Sequence, residues 1–370
     1  MIHVLVVDDS AFMRKMISDF LTEEKQIEVI GTARNGEEAL KKIELLKPDV
    51  ITLDVEMPVM NGTDTLRKII EIYNLPVIMV SSQTEKGKEC TINCLEIGAF
   101  DFITKPSGSI SLDLYKIKEQ LVERVVAAGL SGKRKRPVSQ TVRPEPIVRA
   151  VVKPELSKPK PGTGRQIVCI GTSTGGPRAL QKVIPKLPKD LNAPVVVVQH
   201  MPEGFTASLA DRLNHLSDIQ VKEAKDGEAA LNGCVYIAPG GKNISVIKSS
   251  EELQIVLDNH DTPSRHKPSA DYLFRSVGKL TDYEKVAVIM TGMGSDGTAG
   301  LKDMLTAGNV KAIAESEESC VVYGMPKAAV KAGLIHEIKH VEDIAASITS
   351  CVKKRGCDSN GYESVFRCLY

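Results

Sequence analysis

The chain has 370 residues, 42% hydrophobic and 26% charged, with 48 Lys+Arg against 47 Asp+Glu. At roughly 100 to 200 residues per domain this length implies two domains, and the near-average apolar share excludes wholesale disorder. The balanced charge excludes a global field that would mark nucleic acid as the main partner, and apolar runs such as Val195 to Val198 fall far short of the roughly 18 residues that insert into a membrane.

The first residues, MIHVLVVDDS, place an acidic pair where an export signal would need a longer apolar stretch, so the cytoplasm is the expected compartment. Apolar runs then alternate with helical periodicity: HVLVV, Ala11 to Leu21, EVIGTA, Glu37 to Leu46, DVITL, Thr63 to Ile72, PVIMV, Glu85 to Ile97, DFIT, and Leu112 to Ala128. Five such units predict a parallel sheet covered on both faces, with chemistry at the carboxyl ends of its strands. From Ser131 to Arg165, six prolines and ten Lys/Arg stand against two acids, a composition that builds no core and predicts an extended basic tether. Taking this +8 from the total of +1 leaves the remainder at −7. Beyond it the α/β pattern resumes with QIVCIG, Arg178 to Leu187, PVVVVQ, Thr206 to Leu216, several short β-like runs and VAVIMTG. The expected division is 1–128, a linker over 129–165, a second domain over 166–352 and a tail over 353–370. Aromatics at helical spacing (Tyr362, Phe366, Tyr370) mark that tail, which reads as frayed. The eight cysteines form no C-x-x-C pair, so disulfides and structural metals are not expected.

Two sets of strand-end residues carry chemistry. Asp8, Asp9 and Asp54 fall at the ends of the first and third strands, which lie side by side in a doubly wound sheet. Three carboxylates that close repel one another and favour a hard divalent cation such as Mg²⁺. Ser81 and Lys105 end the fourth and fifth strands, so a hydroxyl and an ammonium surround the Asp54 carboxylate, as phosphoryl transfer to it requires. In the second domain, Gly171-Thr-Ser173-Thr-Gly175 follows a strand and precedes a helix, a turn that exposes a serine hydroxyl at a helix N-terminus. A phosphate-binding glycine loop is the alternative, weakened because Ser173 takes the place of a central glycine and the next strand ends in Gln199-His200. His200 is the expected base and Asp296, in the glycine-rich turn after VAVIM, its orienting acid. A rival order would use His336 or His340, which no glycine turn presents.

The motif DD-x₄₄-D-x-x-MP-x-MNG with Ser81, Phe102 and Lys105-Pro106 resembles the receiver domain of two-component response regulators, with Asn61 in place of the commoner Asp. The resemblance implies phosphorylation of Asp54 by a histidine kinase and Mg²⁺ held by Asp8, Asp9, Asp54 and the Glu56 carbonyl. It makes Ser81, Phe102 and Lys105 the switch. GTSTGGP, QHMPEGFT, YIAPGG, HKPSAD, MTGMGSDG and YGMPKAA together resemble the catalytic domain of the chemotaxis protein-glutamate methylesterases. That likeness implies a phosphorylation-activated hydrolase acting on methylated glutamates of chemotaxis receptors, with deamidation of receptor glutamines in some members. Ser173 is then nucleophile, His200 base and Asp296 its partner, with Met293 and Thr174 at the oxyanion site, and ester hydrolysis needs no cofactor. The combined fold expectation is a flavodoxin-like receiver and a Rossmann-like α/β esterase domain. The unphosphorylated receiver is expected to pack against the Ser173 cleft. A non-catalytic scaffold and a DNA-binding output domain are the competing classes. An intact Ser, His and Asp set opposes the first; the absence of a helix-turn-helix pattern opposes the second.

Overall fold

The computed structural model describes residues 1–106, 111–134, 164–250, 252–259 and 266–352. Near-continuous apolar runs form the first sheet: β1 (Ile2–Val7), β2 (Ile27–Ala33), β3 (Val50–Asp54), β4 (Val77–Ser81) and β5 (Asp101–Thr104). Their order is β2-β1-β3-β4-β5, all parallel, so β1 and β3 are neighbours. Helices α1 (Ala11–Thr22), α2 (Gly36–Leu46), α3 (Gly62–Ile72), α4 (Glu85–Ile97) and α5 (Ser111–Arg134) cover both faces. Capping side chains set the helix starts: Ser10, Asn35, Asn61 and Thr84 each accept an N–H from the first turn. Asn61 thus serves as the N-cap of α3, which an amide does as well as the carboxylate commoner in the motif.

Helix α5 continues through Arg134, past the boundary expected at residue 128. Its buried stripe of Leu121, Val125 and Ala128 runs on into Gly129, whose added Cβ would lie 2.7 Å from Ile2. Close packing on β1, rather than composition, carries the helix into the predicted linker. Residues 135–163 of that linker and the tail over 353–370 lie outside the described residues.

The second sheet holds β6 (Gln166–Thr172), β7 (Val195–Gln199), β8 (Gln220–Glu223), β9 (Cys234–Ile237), β12 (Glu284–Ile289), β13 (Val310–Glu315) and β14 (Glu337–Lys339). All are parallel, in the order β14-β13-β12-β6-β7-β9-β8. The remaining strands, β10 (Asn243–Ser249) and β11 (Glu252–Asp258), make an antiparallel hairpin apart from the sheet. The helices are α6 (Gly176–Val183), α7 (Phe205–Leu216), α8 (Ala270–Gly278), α9 (Thr298–Thr306), α10 (Met325–Lys331) and α11 (Val341–Cys351). The chain leaves β6 toward β7 on one side and returns later to β12 on the other. The carboxyl end of β6 is therefore the switch point where open α/β sheets bind ligands.

The two sheets do not stand apart. One apolar cluster runs from the receiver strands through Phe102 to Phe205 and the β6–β7 face. The Phe102 and Phe205 ring centroids are 4.7 Å apart. Helix α4 lies against α6 and α7: Glu96 accepts from Arg212 Nε at 2.5 Å and Nη2 at 2.9 Å, and from Gln181 at 2.9 Å. The six described cysteines are free, and no described helix is long and apolar enough to cross a membrane.

Candidate active site

At the carboxyl end of the first sheet, Asp8 and Asp54 are buried and Asp9 is exposed. One carboxylate oxygen from each lies within 4.8 Å of the others. Lys105 Nζ stands 3.1 Å from Asp8 Oδ2 and 2.8 Å from Asp54 Oδ2, oxygens that otherwise lack a donor. Burial, opposed by Lys105 and reinforced by the Asp8 charge, pushes the Asp54 carboxyl up to about 6. Burial would lower Lys105, but its hydrogen bond and charge contact with Asp54 raise it overall. Crowded carboxylate oxygens from Asp8, Asp9 and Asp54 fit a hard cation.

The Ser81 hydroxyl is hydrogen-bonded to α4. It receives a hydrogen bond from Thr91 Oγ1 at 2.6 Å and donates to the Gly87 carbonyl at 3.1 Å, tying β4 to α4. Thr91 is a partner that motif reading did not single out; its spacing within α4 carries no distinctive signal.

At the carboxyl end of the second sheet, β6 and β7 pair with Thr172 opposite Gln199. Ser173 and His200 are the next residues on each strand, so they emerge side by side, with strands about 4.8 Å apart. Ser173 N–H donates to the Thr291 carbonyl at 3.0 Å, and an added Cβ on Gly292 would meet Ser173 Cβ at 2.8 Å and Met325 Sδ at 2.3 Å. Only glycine at 292 lets the β12–α9 loop approach the serine this closely.

His200 N–H donates to the Thr172 carbonyl at 3.1 Å, and its ring Nε2 lies 2.8 Å from Asp296 Oδ2. Asp296 also accepts from Ala270 N–H at 2.7 Å, Asp271 N–H at 3.1 Å and Ser269 Oγ at 2.9 Å. Burial would raise this carboxyl, but His200 and the two backbone donors win and hold it down at about 2. The ionised acid therefore orients the imidazole through Nε2. The other ring nitrogen, Nδ1, is buried with no hydrogen-bond partner among the described residues. His266 stacks on the same ring at 4.3 Å and 17°, and burial, then the neighbouring His200 charge, lowers its pKa to about 4. The HKPSAD motif contained these supports, but no spacing rule tells that a helix start 26 residues away will clamp Asp296.

Met293 sits in the β12–α9 loop, partly exposed. Thr174 is buried, and its hydroxyl donates across the domain boundary to Asp101 Oδ2 at 2.6 Å. Asp101 also pairs with Arg124 at 3.2 Å. The Thr174 side chain is therefore spent on the receiver. The rival histidines stand elsewhere: His336 Nδ1 accepts from Ala312 N–H at 3.0 Å, and His340 caps α11.

A phosphoacceptor-type acid cluster on one sheet and a serine, histidine and aspartate about the mouth of another define a response regulator with a hydrolase output domain. Residues 168–348 match the CheB methylesterase family and residues 4–114 the response regulator receiver domain. The chain belongs to the CheB methylesterase family. It is 99% identical over 354 residues to a protein-glutamate methylesterase/protein-glutamine glutaminase of Bacillus subtilis (strain 168), covering 96% of this chain and 99% of that relative. It is 59% identical over 360 residues to the protein of the same name from Bacillus licheniformis, again covering 96% and 99%. Among solved structures, the Thermotoga maritima CheB methylesterase catalytic domain is 41% identical, with a TM-score of 0.49 over 50% of this chain and 98% of that one.

Proposed function

We propose that this chain is a phosphorylation-activated protein-glutamate methylesterase, also able to deamidate glutamine, that acts on methylated chemotaxis receptors. The observation that carries the chemistry is the His200–Asp296 pair, which occupies Nε2 and leaves Nδ1 without a hydrogen-bond partner among the described residues. His200 Nδ1 takes the Ser173 proton and Oγ attacks the ester carbonyl. The main-chain N–H groups of Thr174 and Met293 hold the oxyanion. Methanol departs with the proton from His200, and water, deprotonated by the same nitrogen, hydrolyses the acyl-serine to glutamate. A glutamine side chain follows the same course with ammonia leaving. Each oxyanion donor supplies on the order of 3 kcal/mol.

A histidine kinase donates the phosphoryl group to Asp54. Mg²⁺, held by Asp8, Asp9, Asp54 and the Glu56 carbonyl, would neutralise charge on that group. Lys105 contacts its oxygens, and Ser81 turns toward them. In turning, Ser81 gives up Thr91 and Gly87, so α4 and Phe102 lose the arrangement that docks them on α6, α7 and Phe205. Incubation with a fluorophosphonate probe tests the nucleophile: the wild-type chain should be labelled, Ser173→Ala should not, and its methanol release from methylated receptor membranes should fall at least a thousandfold, to about the level that binding alone supports. Substantial turnover in Ser173→Ala excludes this reading.

A further inference from the structure

We infer that Gln199 is a positioning residue for the hydrolysis: one buried carboxamide ties the main chain of the nucleophile to that of the base. The inference rests on the roles proposed above for Ser173 and His200. Gln199 ends β7 and is 2% exposed. Its Nε2 donates to the Ser173 carbonyl at 3.0 Å and to the His200 carbonyl at 3.1 Å. Its Oε1 accepts from Thr172 Oγ1 at 2.6 Å, and Thr172 is fully buried. Two carbonyl oxygens can be faced only by the amide NH₂, so the carboxamide has one orientation here and the Thr172 hydroxyl locks it.

The start of α6 rests on the same pair. A Cβ on Gly176 would lie 1.8 Å from Thr172 Oγ1 and 1.9 Å from Gln199 Oε1, so glycine is needed for the helix to sit down on the carboxamide. The serine loop, the histidine and the helix N-terminus that faces the oxyanion thus share one support. A valine run needs no amide at its end for packing alone. What this amide sets is the Oγ-to-imidazole alignment, to which proton transfer is steeply sensitive.

The test uses the full chain and four variants: Gln199→Leu, Thr172→Val, Thr172→Ser and the double Gln199→Leu/Thr172→Val. Methanol release from methylated receptor membranes gives kcat and KM, fluorophosphonate gives the labelling rate of Ser173, and thermal unfolding gives stability. Gln199→Leu and Thr172→Val should each lower kcat and labelling by roughly ten- to a hundredfold while KM stays within about twofold. Thr172→Ser should recover most of the loss, and the double variant should be no slower than Gln199→Leu, because both act through one carboxamide. If Gln199→Leu does not fold, Thr172→Val, which keeps the side-chain shape, carries the test. Unchanged kcat and labelling in the folded variants overturn the inference, as does a loss that Thr172→Ser fails to recover. Full turnover in Ser173→Ala sinks the parent reading; a dead Ser173→Ala beside fully active Gln199 variants sinks this inference alone.

Discussion

Asp54 and Asp296 are both buried aspartates, yet their surroundings push them in opposite directions. Asp296 meets an imidazole and two backbone N–H groups and stays ionised; Asp54 meets one shared ammonium and a second carboxylate and is pushed up to about 6. The folded Asp54 pKa lies above its ordinary 3.8, so its contribution to stability is fully present below about pH 3.8 and lost as pH rises through about 6. At pH 7.5 the receiver therefore bears an ionised, crowded acid. Asp54→Asn should be more stable to unfolding than wild type at pH 7.5, by about 1–2 kcal/mol, with the gap closing toward pH 4. Added Mg²⁺ should stabilise the wild-type chain more than the variant. A gap of constant size across both pH values excludes this account of the site.

Helix α4 links the two chemistries. Its inner side receives Ser81 through Thr91 and Gly87, and its outer side presents Glu96 to Arg212 and Gln181. Ion pairs this exposed contribute little individually, about 0.5–1 kcal/mol, which is still two- to fivefold in an equilibrium between docked and released receiver. Glu96→Ala should therefore raise the esterase activity of the unphosphorylated chain two- to fivefold and shrink its stimulation by a small-molecule phosphodonor. Unaltered basal activity in a well-folded Glu96→Ala would remove α4 from the coupling. The receiver elements were legible in the sequence because β1, β3 and β4 are nearly continuous apolar runs and the starts of α1 to α4 each carry a capping side chain. The overrun of α5 was not, since a basic, proline-rich neighbourhood hides the contact of Gly129 with Ile2.

In the whole molecule, the receiver covers the flank of the Ser173 loop through Asp101–Thr174 and Phe102–Phe205. Phe102 is buried against a ring of the other domain. A chain shortened to residues 164–370 should be several-fold more active than the unphosphorylated full chain and indifferent to a phosphodonor, provided its melting transition is cooperative. Equal or lower activity in a folded fragment would mean that the receiver assists the site instead of restraining it. The linker composition, the acid cluster and the Ser, His and Asp positions were readable in one dimension, because strand ends recur at predictable places along an alternating β/α chain. Which nitrogen of His200 is occupied, that Ser81 faces α4, that Thr174 reaches Asp101 and that Gln199 bridges two carbonyls were decided only in the tertiary structure. Those contacts join residues up to 96 positions apart, and hydrogen-bond geometry is set by the packing of whole elements, which no local pattern encodes.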